Sequence, residues 1–147
     1  MRLTVARRPA QVLLVEDNQM QAVLAKNAIG ELESLELVHR AEDGDAALAY
    51  LRKEGDFKNA PRPDVILLDL NMPKKNGFEV LEEVKCDAKL RAIPVIVFTT
   101  SEYEEDIAKA YANGASTFIT KPSDFDQLLS ILEDLGRYWR NAKLATA

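Results

Sequence analysis

The chain has 147 residues, 19 Lys and Arg against 24 Asp and Glu, a formal charge of −5 at pH 7, and 47% apolar residues. That length suits one domain with a full hydrophobic core, and that composition a folded globular chain rather than a disordered one. The acidic balance argues against nonspecific nucleic-acid binding, the single Cys86 excludes an internal disulfide framework or a Cys-based zinc site, and no apolar run is long enough to span a membrane.

Residues 1–10 are basic, lack the apolar segment of a signal peptide, and read as a flexible N-terminal arm, which makes the cytoplasm the expected location. Gln11 to Val15 is a first buried strand, ended by Glu16 and Asp17. Asn18 is a fitting N-cap for a helix in which Met20, Val23, Leu24, Ala28 and Ile29 recur at helical spacing up to Gly30. Leu35 to His39 alternates less cleanly and suggests a strand near a sheet edge. Asp43-Gly44 opens a second helix ending near Gly55, and a long connection with two prolines runs from Asp56 to Pro63. Val65 to Leu68 is a continuous apolar run that stops at Asp69, with Pro73 and Gly77 in the loop before a helix from Phe78 to Val84. Cys86 is expected against the core or on the side of that helix. Pro94 to Phe98 is a fourth run, ending in Thr99, Thr100 and Ser101. A helix through Ile107, Ala108 and Tyr111 stops at Asn113-Gly114. Ser116 to Thr120 is a fifth strand closed by Lys121-Pro122, and Ser123 with Asp126 resembles a capping box for the last helix. Five strand–helix alternations predict an α/β domain, a parallel sheet with helices on both faces.

In such a sheet, ligands bind beyond the carboxyl ends of the strands, and every strand end lies on one edge. Four of those ends carry chemistry: Glu16-Asp17, Asp69, Thr99 and Lys121. Three carboxylates gathered there repel one another and raise each other's pKa values. A hard divalent cation relieves that repulsion, and carboxylates plus waters suit octahedral Mg²⁺. Asp69 could then attack phosphorus in line and become an aspartyl phosphate. Lys121 would supply a compact positive charge to one phosphoryl oxygen, and the Thr99 hydroxyl a donor to another.

The acidic pair after strand one, the strand ending at Asp69 with Met72-Pro73 and Gly77 behind it, Thr99, and Lys121-Pro122 occur in order. Together they make the chain resemble a response-regulator receiver domain of two-component signalling, from about Gln11 to Leu135. The resemblance implies a doubly wound, flavodoxin-like (βα)5 domain over residues 11–136 with strand order 2-1-3-4-5, followed by a C-terminal extension over residues 137–147. It implies Mg²⁺ held by Asp17, Asp69 and the Asn71 backbone carbonyl, with Glu16 acting through water. It also implies a cis Lys121–Pro122 bond. Thr99 and Phe118 would form the switch, Thr99 moving toward the phosphoryl group and the strand-five aromatic rotating into the vacated space. Many family members have Tyr where this chain has Phe118, so switching here would rest on packing without the hydroxyl. The long loop 56–63 and the Trp-containing extension look most similar to single-domain regulators of bacterial, particularly cyanobacterial, phytochromes. That subgroup implies a phytochrome histidine kinase as phosphodonor and a homodimer through the fourth helix, fifth strand and fifth helix.

No output domain is expected after the last helix, so output should pass through surface contacts. In that helix Leu128, Leu132, Leu135 and Trp139 form a stripe for the sheet, while Leu129, Ile131 and Tyr138 widen it. Tyr138-Trp139 are candidates for a partner or dimer surface. Turnover of external substrates is not expected. Haloacid-dehalogenase-type phosphatases share the Asp nucleophile and Mg²⁺ but need a second Asp two residues on, where this chain has Asn71. No P-loop occurs, and the one histidine, His39, lies in a strand-like segment rather than on a helix. A receiver-like adaptor that signals without phosphate is a further alternative, but such modules usually lose the acidic pair, the phosphoacceptor or the lysine. All are present.

Overall fold

The computed structural model describes residues 8–141, with side chains through Trp139. In chain order its elements are β1 (Ala10–Val15), α1 (Gln19–Gly30), β2 (Leu35–Ala41), α2 (Gly44–Leu51), a 3-10 turn (Gly55–Phe57), β3 (Val65–Leu68), α3 (Gly77–Cys86), β4 (Val95–Thr99), α4 (Glu104–Ala112), β5 (Thr117–Thr120) and α5 (Phe125–Asn141). All strands pair parallel, in the order β2-β1-β3-β4-β5. The predicted fold class and strand order therefore hold.

The three inner strands explain their own composition. Every residue of β3 and β4 is buried, and all but the terminal Thr99 are apolar, as burial on both faces favours. The two-residue period of a strand then divides them. Leu13, Val15, Ile66, Leu68, Val95 and Val97 face one core with α2 and α3. Val12, Leu14, Val65, Leu67, Ile96 and Phe98 face the other with α1 and α5. Burying a side chain of this size contributes about 1.5–3 kcal/mol, so the two cores fix both faces of the sheet.

Several expectations change in detail. On α1 the buried stripe is Ala22, Ala25, Ala28 and Ile29, while Met20, Val23 and Leu24 are exposed. Small residues let α1 lie close to the sheet, and the larger ones point outward. Helix α2 stops at Leu51 instead of near Gly55, because Lys53 takes a positive φ of 56° and turns the chain. The cap of α5 is Asp124 rather than Ser123: its carboxylate accepts the Asp126 N–H at 3.1 Å, and its carbonyl the Leu128 N–H at 3.0 Å. Cys86 is exposed at the end of α3. No described peptide bond is cis, so Lys121–Pro122 is trans, the isomer an X–Pro bond favours by about 0.5–1 kcal/mol.

At the N-terminal boundary, β1 already includes Ala10, and Arg8 pairs with Asp64 through two bonds of 2.8 and 3.0 Å. Residues 1–7 of the expected arm and 142–147 of the expected extension lie outside the described residues. No helix among the described residues is long and apolar enough to cross a membrane.

Candidate functional site

Parallel pairing brings the carboxyl ends of β1, β3, β4 and β5 to one pole, and backbone hydrogen bonds hold them level. The Asp69 N–H donates to the Val15 carbonyl at 3.0 Å, and the Lys121 N–H to the Thr99 carbonyl at 2.7 Å. Glu16, Asp69 and Thr99 are the buried polar residues of the described chain, at 2%, 8% and 0% exposure. Asp17 beside them is exposed.

The carboxylates of Glu16, Asp17 and Asp69 each offer an oxygen, all within 4.8 Å of one another. Lys121 reaches in from the end of β5. Its ammonium bonds Glu16 Oε1 and lies 2.5 Å from Gln21 Oε1 and 3.6 Å from Asp69 Oδ2. Glu16 is engaged twice, since its Oε2 also accepts the Asn18 N–H at 3.1 Å. Burial pushes its carboxyl above the ordinary value of 4.5, against the opposing pull of Lys121. Asp69 Oδ1 accepts the Leu70 N–H at 2.8 Å, which fixes the carboxylate's rotation.

The loop after Asp69 packs tightly beneath it. Gly77 donates its N–H to the Leu70 carbonyl at 2.9 Å, and an added Cβ there would lie 2.3 Å from the Asp69 carbonyl oxygen. Asn76 and Glu79 then start α3 with a reciprocal capping box at 3.0 and 3.1 Å. Asn71, Met72 and Pro73 line a shallow cleft of about 430 Å³ with Asp17 and Asp106. Asn71 thus shares a cleft with Asp17, one of the three clustered carboxylates.

Thr99 is fully buried, and its hydroxyl accepts the Ser101 N–H at 3.4 Å. Phe118 is half-buried against the α2–α3 core, and its N–H donates to the Tyr111 hydroxyl of α4 at 3.1 Å. The two residues at the end of α5 separate. Trp139 packs on the α1–α5 core with its indole N–H buried and unpartnered, whereas Tyr138 is 60% exposed.

Two residues of the pole escaped the sequence reading. Gln21 stands three residues after the Asn18 cap, whose side chain accepts its N–H at 3.0 Å. A polar residue in the first turn of a helix that starts at the strand ends was the available signal. Arg40, at the end of β2, donates from Nε to the Glu16 carbonyl at 2.8 Å and from its guanidinium to Gln19 Oε1 at 2.8 Å, bracing the β1–α1 turn.

The donor set is all oxygen, partly open to solvent through Asp17, and more negative than Lys121 alone offsets. It fits a hard divalent cation. The geometry also leaves one carboxylate, Asp69, 3.6 Å from the Lys121 ammonium, with its chain neighbours Leu70 and Asn71 lining the cleft.

A family model for the response regulator receiver domain matches residues 12–133. In sequence the chain is 42% identical to the probable methanogenesis regulatory protein FilR2 of Methanothrix harundinacea over 135 residues, covering 91% of this chain and 86% of FilR2. It is 37% identical over 134 residues to the response regulator Rcp1 of Synechocystis, covering 89% of each. The structure of Rcp1 in its Mn²⁺-bound form superposes with a TM-score of 0.83 over 94% of this chain and 100% of that one. The phosphorylated cyanobacterial phytochrome response regulator RcpA superposes with a TM-score of 0.86 at 42% identity, over 94% and 99%.

Proposed function

Since the chain belongs to the response regulator receiver family, we propose that Asp69 accepts a phosphoryl group from the phosphohistidine of a histidine kinase. The observation that carries this reading is the pole itself: the Asp69 carboxylate within 4.8 Å of those of Glu16 and Asp17 and 3.6 Å from the Lys121 ammonium. Asp69 Oδ attacks phosphorus, the P–N bond to the donor imidazole breaks, and its electron pair stays on the ring nitrogen. Asp17, Asp69 and the Asn71 carbonyl would hold Mg²⁺, with Glu16 contributing through water. When bound, that ion neutralises charge on the incoming phosphoryl group. Lys121 and the Thr99 hydroxyl bind the phosphoryl oxygens, and the inward pull on Thr99 is read by the packing of Phe118.

The donor we favour is a phytochrome kinase, on the likeness to RcpA and Rcp1, acting in the cytoplasm. Helix α1 starts at the pole and exposes Met20, Val23 and Leu24, an apolar strip suited to a donor helix. Output would pass through surface contacts, including a homodimer through α4, β5 and α5. On that side Tyr103, Tyr111 and Tyr138 are 70%, 49% and 60% exposed, the residue type enriched at interface centres.

Phosphotransfer profiling tests this. The protein and its Asp69→Asn variant, both with Mg²⁺, are offered a panel of autophosphorylated kinases that includes a phytochrome. Fast, selective labelling by the phytochrome kinase, absent in Asp69→Asn, is the expected result. Selective labelling by another kinase would keep the receiver mechanism and remove the light pathway. Labelling of Asp69→Asn at the full rate would refute the assignment of the acceptor.

A further inference from the structure

We propose that Gln21 is a positioning residue for Lys121, holding the ammonium at a stand-off from Asp69 that suits a phosphoryl oxygen rather than the bare carboxylate. The inference rests on the phosphoacceptor reading above and concerns the same pocket. A lysine ammonium has three N–H donors and no acceptor. Here three oxygens surround it, and only two are within bonding reach: Glu16 Oε1 and Gln21 Oε1, the latter at 2.5 Å. Asp69 Oδ2, at 3.6 Å, is close enough for attraction but beyond a direct hydrogen bond.

Both lysine and Asp69 side chains are only 10% exposed, so their attraction is weakly screened. An ammonium on a flexible four-carbon stem would close that gap unless something held it. Glu16 alone leaves two of its donors unassigned. Gln21 takes one of them from the α1 side. Its own placement is firm, because the Asn18 cap fixes its backbone N–H at 3.0 Å and α1 docks on the sheet through Ala22 and Ala25.

A phosphoryl group on Asp69 places its oxygens beyond the carboxylate, in the gap that the stand-off preserves. The third lysine donor is then free for one of those oxygens without Lys121 first breaking a direct pair with Asp69. A carboxylate would hold the lysine too, but an amide does so at lower electrostatic cost. It accepts a hydrogen bond without adding a fourth negative charge to a pocket that must admit an anion.

The test uses two variants of nearly the same shape and comparable helix propensity. Gln21→Met removes the acceptor, and Gln21→Glu keeps and strengthens it. The first readout is the Lys121 ammonium resonance in lysine-selective ¹⁵N NMR of the unphosphorylated protein. It should be protected from water exchange in wild type and Gln21→Glu, and lose that protection or shift in Gln21→Met. The second is Asp69-dependent labelling by a small phosphoryl donor with Mg²⁺, which should slow roughly ten-fold in Gln21→Met, the scale of one charge-assisted hydrogen bond. Unchanged urea midpoints would show that the fold is intact. Wild-type labelling with an unaltered rate and ammonium signal in Gln21→Met overturns the inference and leaves the receiver mechanism standing. A wild-type protein that no donor labels overturns the mechanism, and the inference with it.

Discussion

Gly77 shows how tightly one residue can be set by the group it supports. Its missing side chain is not a matter of backbone angle. It lets the loop after Asp69 close against that residue's carbonyl oxygen, 2.3 Å from where a Cβ would stand. Backbone cannot yield there as a flexible side chain could. Gly77→Ala should therefore destabilise the protein toward the upper end of the overpacking range, about 3 kcal/mol, and displace the Asp69 carboxylate. Gly30 is the contrast, since it ends α1 with nothing within 4 Å of an added Cβ. Gly30→Ala should stabilise by up to about 1 kcal/mol through helix propensity and a less flexible unfolded chain. Urea titration of the two variants checks both signs. Equal effects would mean that the close approach beneath Asp69 does not constrain the fold.

At the level of elements, the long connection after α2 is held by an aromatic cluster. His39 of β2 stacks on Tyr50 of α2 at 4.7 Å and 5°, Phe57 meets both rings edge-on at 4.9 and 5.3 Å, and the Tyr50 hydroxyl donates to the Pro61 carbonyl at 2.9 Å. Burial lowers the His39 pKa from its ordinary value of 6.5. Below that value the unfolded chain binds a proton that the folded one resists. Stability from this site is thus complete above about pH 6.5 and lost as pH falls through the depressed folded value. His39→Phe, which keeps an aromatic ring without the titration, should flatten the dependence of the urea midpoint between roughly pH 7.5 and 5.5. An unchanged slope would place the pH sensitivity elsewhere. The sequence showed this loop's length but not its fastening, because Phe57 and Pro61 find partners only once β2 and α2 are side by side. The same reason governs the helices. Met20, Val23 and Leu24 signal a helix correctly, yet the buried face belongs to Ala22, Ala25 and Ala28, whose small side chains carry little periodic hydrophobicity. Between Ser123 and Asp124, adjacent residues with similar capping chemistry, only the path of the chain out of β5 decides.

Across the whole molecule, the strands and the pole were legible because both follow from short-range rules. Continuous apolar runs mark strands buried on two faces, and parallel pairing sends their polar endings to one edge. Glu16, Asp17, Asp69 and Lys121 accordingly meet at the pole, with Thr99 at the neighbouring end of β4, whereas Gln21 and Arg40 depend on the docking of α1 and β2 and left no comparable pattern. The same arrangement makes the pole a point where folding and ligand binding are linked. Folding is what brings three carboxylates within 4.8 Å, and the unfolded chain has no such site. A cation bound there stabilises the folded state alone, by about 2.7 kcal/mol at a hundred times its dissociation constant. For a domain of this size that corresponds to a rise in Tm of roughly 5–10 °C. Mg²⁺ should therefore raise the melting temperature, a chelator should reverse the rise, and Asp17→Asn should remove the response while melting cooperatively. If Asp17→Asn responds to Mg²⁺ as the wild type does, the ion binds elsewhere. Asp17, open to solvent beside two buried carboxylates, would then have to be explained as part of the α1 entrance rather than as a ligand.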